Sequence, residues 1–192
     1  MKIALIDSGR GLLYLLNELI IKNIKHEYHL FFSSKCPIGN LPKKDLIEET
    51  RILEEKTKDF DFTVVCCNTL SIYFKPRKNL IKILDYNLSY LNKHENIIPI
   101  GTTNTINYLG RGYKEFNLAR DIEEQKKEKI IKDIKAWPKS KSYILLCTHY
   151  IQALETINNI HPNSKIIDLT HLLFQDIASL KKDKQLRIIS HK

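Results

Sequence analysis

The sequence predicts an α/β fold of two pseudo-symmetric lobes, each a mainly parallel sheet flanked by helices, with the active site in the interlobe cleft. Three observations predict it. Short apolar runs alternate with helix-period stripes along the whole chain. Four of those runs end in small polar or thiol-bearing residues, and the endings fall two to each half.

Residues 2–6, Lys-Ile-Ala-Leu-Ile, form an apolar run stopped by Asp7-Ser8-Gly9, the pattern of a buried strand feeding a turn. Leu12, Leu15, Leu16, Leu19 and Ile20 then recur at helical spacing and predict a helix over about 11–24. Strand-like runs follow near 27–32, 61–67, 96–100, 142–147 and 164–167. Helical patterns lie near 43–59, 103–110, 121–135, 149–159 and 170–181. No Gly/Ser-rich linker interrupts the chain, so the lobe boundary is expected at a tight crossing near Lys93-His94-Glu95-Asn96. Lobe 1 is then 1–94, with a C-terminal helix over 171–192 packing back onto it, and lobe 2 is 95–170.

Ligands of open α/β sheets bind beyond the carboxyl ends of the strands. Asp7-Ser8-Gly9, Cys67-Asn68-Thr69, Gly101-Thr102-Thr103-Asn104-Thr105 and Cys147-Thr148-His149 are therefore expected to face one cleft. Each half supplies one cysteine at a strand end followed by small polar donors. Two thiols on opposite sides of a substrate make a two-base site: one takes a proton from an unactivated α-carbon, and the other returns one to the opposite face. The Asn, Thr and Ser groups suit a substrate carboxylate, and Asp7 and His149 are placed to assist proton transfer. No lysine motif for a pyridoxal cofactor stands out, so cofactor-free chemistry is expected.

Composition narrows the class further. The chain has 192 residues, 43% hydrophobic and 28% charged, enough for a packed core without staples. Four apolar residues between Lys2 and Asp7 are too few for a signal-peptide core, and no apolar run approaches a membrane span, so a cytoplasmic, membrane-free protein is expected. Cys36, Cys66, Cys67 and Cys147 follow no secreted framework and are expected as free thiols. The net charge of +9 comes from 25 lysines against 6 arginines. Without an arginine cluster or aromatic-interleaved basic stripe, this reads as solvated helix faces rather than a nucleic-acid surface.

The stretches IALIDSGRG (3–11), CPIGN (36–40), VVCCNT (64–69), IGTTNT (100–105) and ILLCTHY (144–150) resemble, in order and across nearly the whole chain, the cofactor-independent glutamate racemases of the aspartate/glutamate racemase superfamily. The resemblance implies Cys67 and Cys147 as catalytic acid/bases, with Asp7 and His149 tuning them. It implies substrate contacts from Asp7, Ser8, Ile38, Gly39, Asn68, Thr69, Thr102, Thr148 and His149, with no metal and no cofactor. It also implies L- and D-glutamate as substrates, D-glutamate made for peptidoglycan, and a homodimer. The chain departs from the family's pattern in four places. Ile38-Gly39 stands where Tyr-Gly is usual, and Arg10 where a small apolar residue is common. The chain is shorter, mainly between Thr102 and Cys147 and at the C-terminus. A family glutamate from that segment has no evident counterpart, the nearest candidates being Asp121, Glu123 and Glu124.

Other readings fit less of the sequence. Side chains alternate along a strand, so Cys66 and Cys67 point to opposite faces, and Cys66 is expected to be structural. Asp7 as a helix cap and His149 as a core histidine are the plain alternatives at those positions. A zinc site from Cys36, Cys66, Cys67, Cys147 and His149 matches no paired-ligand spacing. A Cys147–His149 hydrolase pair leaves the second cysteine without a role. Gly9-Arg10-Gly11 is no dinucleotide fingerprint, since Tyr14 occupies the third glycine position. A racemase-like binding protein without turnover, a racemase of aspartate or another amino acid, and a nucleic-acid binder are the functional alternatives.

Overall fold

The computed structural model of the chain describes residues 1–180 and 185–191. Its first half runs β1 (Lys2–Asp7), α1 (Gly11–Ile21), β2 (Glu27–Phe32), α2 (Lys43–Thr57), β3 (Phe62–Val65), α3 (Asn68–Ser71), β4 (Leu80–Lys82) and α4 (Ile83–Leu91). The second half runs β5 (Ile98–Thr102), α5 (Thr103–Leu109), β6 (Tyr113–Glu115), α6 (Leu118–Glu123), α7 (Lys127–Lys135) and β7 (Ser142–Leu146). A 3₁₀ helix (Thr148–Ala153) then runs into α8 (Leu154–Ile160), followed by β8 (Lys165–Ile167), α9 (Thr170–Ser179) and β9 (Arg187–His191).

Two parallel sheets result, ordered β4-β3-β1-β2-β9 and β6-β5-β7-β8. The order β8-β7-β5-β6 repeats β4-β3-β1-β2, so the halves are pseudo-symmetric in topology as well as in sequence. In each sheet the chain moves to one side for its second strand and to the other for its third. The strand order therefore reverses at β1/β3 and at β5/β7, and a crevice opens beyond the carboxyl ends of those pairs.

The β1 strand shows why such strands read as continuous apolar runs: both faces of the sheet are covered. Ile3 and Leu5 pack with Leu12, Leu15 and Leu19 of α1 and with Leu173, Phe174 and Ile177 of α9. Ala4 and Ile6 pack on the opposite face with Leu46 and Leu53 of α2. The second sheet is likewise double-faced, with Tyr143 and Leu145 in a cluster around Trp137 and Ile157, and Ile144 and Leu146 in one around Ile106 and Ile167.

Three features differ from the sequence reading. The helical pattern near 121–135 is two helices, because the chain reverses at Gln125, which holds φ +56°. The short strands β4 and β6 carry no clear period in the sequence and appear only in the fold, whereas the helix α4, absent from the sequence reading, does carry one in Leu84, Leu88 and Leu91 at i, i+4 and i+7. Among the described residues of the C-terminal helix expected over 171–192, only those within Thr170–Ser179 are helical. Arg187–His191 instead forms β9, a parallel strand beside β2, as the adjacent β-branched Ile188 and Ile189 favour. Residues 181–184 and 192 of that segment lie outside the described residues.

Candidate active site

The two sequence-predicted thiols occupy equivalent positions. Cys67 follows β3 and precedes α3; Cys147 follows β7 and precedes the 3₁₀ helix. Both have extended backbone, φ −79° and −152°, at the point where strand becomes helix. Thr102 holds the same position between β5 and α5. Ser8, Pro37, Gly39, Cys67, Thr102 and Cys147 line one cavity together with Asn68, Thr69, Thr148 and His149. The two lobes close tightly around it, leaving about 10 Å³.

On the lobe 1 side Asp7 ends β1, fully buried. Its Oδ1 accepts the Ser8 amide at 2.6 Å and the Ser8 hydroxyl at 3.4 Å, while Oδ2 is buried without a hydrogen bond of normal geometry. Cys67 Sγ donates to Ser8 Oγ at 3.6 Å. Burial pushes the Cys67 thiol up to about 12, and the charge of Asp7 adds to the rise. Burial also raises the Asp7 carboxyl, with the charge of His149 and the Ser8 amide pulling back.

On the lobe 2 side Cys147 Sγ lies 3.5 Å from His149 Nδ1, and His149 Nε2 lies 2.7 Å from Glu123 Oε1. Glu123 also accepts the Arg10 amide at 2.8 Å and pairs with Arg10 Nε at 3.1 Å. The His149 hydrogen bond lowers the Glu123 carboxyl to about 2, against burial and with help from Arg10. Burial by itself would lower His149, but the Cys147 sulfur and the bonds to Cys147, Cys36 and Glu123 outweigh it and raise the imidazole. The side chains thus form a chain Arg10–Glu123–His149–Cys147 that holds an imidazolium against the second thiol.

The wall between the thiols is hydroxyl-rich. Thr69 Oγ1 lies 3.0 Å from both Thr102 Oγ1 and Thr105 Oγ1. Asn68 is held by Asn87, whose Nδ2 donates to Asn68 Oδ1 at 2.8 Å. The 36–41 loop of lobe 1 clasps α5, with Gly39 O accepting the Asn104 amide at 3.1 Å and Asn40 Oδ1 accepting that of Thr103 at 3.1 Å. Gly39 permits this approach: a Cβ there would lie 2.3 Å from Thr102 Cγ2.

Of the expected substrate contacts, Asp7, fully buried behind Ser8, does not line the cavity, and neither does Ile38. The Ile38 side chain is fully buried in the lobe 1 core with Leu46, Val65 and Leu70, so Pro37 and Gly39 form the wall in its place. Cys66 points into the opposite hydrophobic cluster from Cys67, as strand alternation requires. Glu123, of the three acidic candidates, is the one that reaches His149. Thr105, expected at the cleft as part of its strand-end run, supports Thr69, and Asn87 joins the site with no sequence signal.

No family model matches the chain, and no curated protein matches it. Solved structures do. The chain is similar to glutamate racemase from Campylobacter jejuni, with TM-score 0.82, 17% identity, and 100% of this chain and 92% of that one covered. It is also similar to glutamate racemase from Thermus thermophilus, with TM-score 0.79, 19% identity, and 98% and 86% coverage. Glutamate racemase from Francisella tularensis, solved with D-glutamate, gives TM-score 0.76 at 20% identity over 98% and 86% of the two chains. Two parallel sheets with repeated strand order, closing on a single cleft, thus give this chain the fold of the glutamate racemases.

Proposed function

We propose that this chain interconverts L- and D-glutamate without a cofactor, Cys67 and Cys147 acting on opposite faces of the substrate α-carbon. The carrying observation is that two thiols at equivalent positions of pseudo-symmetric sheets line one cavity. Each is backed by its own carboxylate, Asp7 through Ser8 behind Cys67 and Glu123 through His149 behind Cys147.

In one direction Cys147, as thiolate beside the imidazolium, takes the α-proton while the Cys67 thiol gives its own to the other face. Inversion leaves the two cysteines with exchanged protonation states. Cys67, pushed up to about 12, is the donor in the substrate-free state. Its use as base in the other direction draws on the positive charge that a substrate ammonium brings beside Asp7. Ser8, Asn68, Thr69, Thr102 and Thr148 are the donors for the substrate carboxylates, with Gly39 forming the wall. The cavity of about 10 Å³ is too small for an amino acid, so the lobes, 1–94 with the C-terminal segment and 95–170 in this reading, part to admit it. Among the described residues no helix is long and apolar enough to cross a membrane. A cytoplasmic homodimer supplying D-glutamate to peptidoglycan completes the reading.

The test is to incubate the purified protein with L-glutamate in D₂O, following loss of the α-proton signal and appearance of D-glutamate. Both are expected. Conversion of aspartate alone would correct the substrate and leave the mechanism. Binding without exchange or inversion of either amino acid would overturn the enzyme reading in favour of a binding protein.

A further inference from the structure

Cys36 is neither of the two thiols that face the substrate, yet it approaches the Glu123–His149 pair. It is exposed on the lobe 1 loop, with Sγ 3.8 Å from Glu123 Oε1. The Cys36 sulfur, a Glu123 carboxylate oxygen and a His149 ring nitrogen all lie within 4.8 Å of one another. Gly9 defines where they converge. A Cβ on Gly9 would lie 2.4 Å from Glu123 Oε1, 2.5 Å from His149 Nε2 and 2.6 Å from Cys36 Sγ. The absence of a side chain at Gly9 lets the three donors converge on that face of the backbone. Zinc takes oxygen and nitrogen ligands at about 2.0–2.2 Å and sulfur at about 2.3 Å. The Cβ position is bonded distance from the Gly9 Cα and cannot itself hold an ion, so an ion sits farther out, clear of Gly9, where the three donors, all within 4.8 Å of one another, turn toward it.

We propose that Cys36, Glu123 and His149 form a site for a thiophilic divalent cation, zinc best, whose occupation holds the two lobes shut and silences the active site. One sulfur, one imidazole and one carboxylate, with a fourth position open to water, suit zinc better than the oxygen-seeking magnesium or calcium. Binding releases the Cys36 thiol proton and the proton between His149 Nε2 and Glu123 to solvent, and the ion takes their place. Arg10 keeps Glu123 Oε2, so the carboxylate stays oriented through its other oxygen.

Silencing follows from the origin of the ligands. Cys36 belongs to the lobe 1 loop, whereas Glu123 and His149 lie on the lobe 2 elements α6 and the 3₁₀ helix. A metal joining them staples the closed cleft, whose cavity of about 10 Å³ admits no substrate. It also fixes the ring that faces Cys147. The inhibition rests on the racemase reading; the binding site does not.

Cobalt(II), titrated into the reduced, metal-free protein, reads the site directly through the near-ultraviolet charge-transfer band of a cobalt–thiolate bond. The expected result is one equivalent bound with that band. Cys36→Ser should lose the band, while Cys67→Ser and Cys147→Ser keep it. In parallel, zinc should inhibit wild-type glutamate turnover, and a chelator should reverse it. Cys36→Ser, measured against its own metal-free turnover, should need zinc higher on the order of a hundredfold or more for the same fractional inhibition. A wild-type protein without the band, or a band that survives Cys36→Ser, overturns the site. A band that behaves as expected beside turnover that zinc leaves untouched overturns the silencing. Absence of wild-type turnover overturns the racemase reading instead, and the cobalt band still decides the site.

Discussion

His149 Nε2 lies 2.7 Å from Glu123 Oε1 while the other ring nitrogen lies 3.5 Å from Cys147 Sγ, so one imidazole joins a carboxylate to a thiol at the cleft. The carboxylate fixes the ring and stabilises its charge; it does not touch the reacting atoms. Glu123→Gln keeps the shape and removes that charge. We expect kcat for glutamate racemisation to fall on the order of tenfold to a hundredfold with little change in KM, since the loss lies in proton transfer. Deuterium exchange should be impaired more for the enantiomer whose α-proton faces Cys147. An equal loss for both enantiomers would mean that Glu123 acts on the fold and not on that thiol.

The paired thiols carry a second expectation. Cys67→Ser and Cys147→Ser should each abolish racemisation, because a serine hydroxyl is far too weak a base to replace a thiol. Each variant retains one thiol, so residual α-proton exchange in D₂O should prefer opposite enantiomers. Cys66→Ser is the control. Its side chain is fully buried in the cluster behind the sheet. The substitution should cost about 1–3 kcal/mol of stability by burying a hydroxyl in apolar surroundings, with turnover intact in the folded protein. Chemical denaturation together with the exchange assay checks all three.

The strands that carry the site were legible because they are buried on both faces and end in polar residues, a signal that needs no partner to be seen. The equivalence of Cys67 and Cys147 was legible for the same reason. Glu123 was legible only as one of three acidic candidates with Asp121 and Glu124, because it takes the packing of α6 beside the 3₁₀ helix to choose among them, and His149 comes 26 residues later in the chain. Ile38 illustrates the converse. A motif reading puts residue 38 on the pocket wall, whereas an isoleucine gains more by packing behind Cys67, and the wall is made by its neighbours. The edge strands β4 and β6 have three residues each, too short for any periodicity to mark them.

Closure of the cleft depends on the contact between Gly39 and Thr102. Gly39→Ala puts a methyl group 2.3 Å from Thr102 Cγ2, so the 36–41 loop must withdraw or Thr102 must turn away from Thr69 and Thr105. Either movement displaces a carboxylate donor. We expect the KM for glutamate to rise on the order of tenfold or more, with the melting temperature little changed. Steady-state kinetics beside a thermal melt separate this from general destabilisation.

Glu115 supplies a prediction about stability and pH away from the site. It is 6% exposed and accepts a hydrogen bond from Trp137 Nε1. Burial raises its carboxyl to about 7, with Asp133 adding to the rise and the Trp137 bond opposing it. Below the unfolded value of about 4.5 the group is protonated in both states and contributes nothing. Between about 4.5 and 7 the folded state holds a proton that the unfolded state has released, so stability falls as pH rises; above 7 the full penalty of the buried charge applies. Glu115→Gln removes that dependence and keeps an acceptor for Trp137. Its stability relative to wild type should therefore improve by about 2 kcal/mol between pH 5 and pH 8, allowing for the water that still reaches the group. Any constant effect of the amide cancels in that difference. Urea denaturation of both proteins at the two pH values measures it, and an unchanged difference would mean that Glu115 is ionised at low cost in the fold.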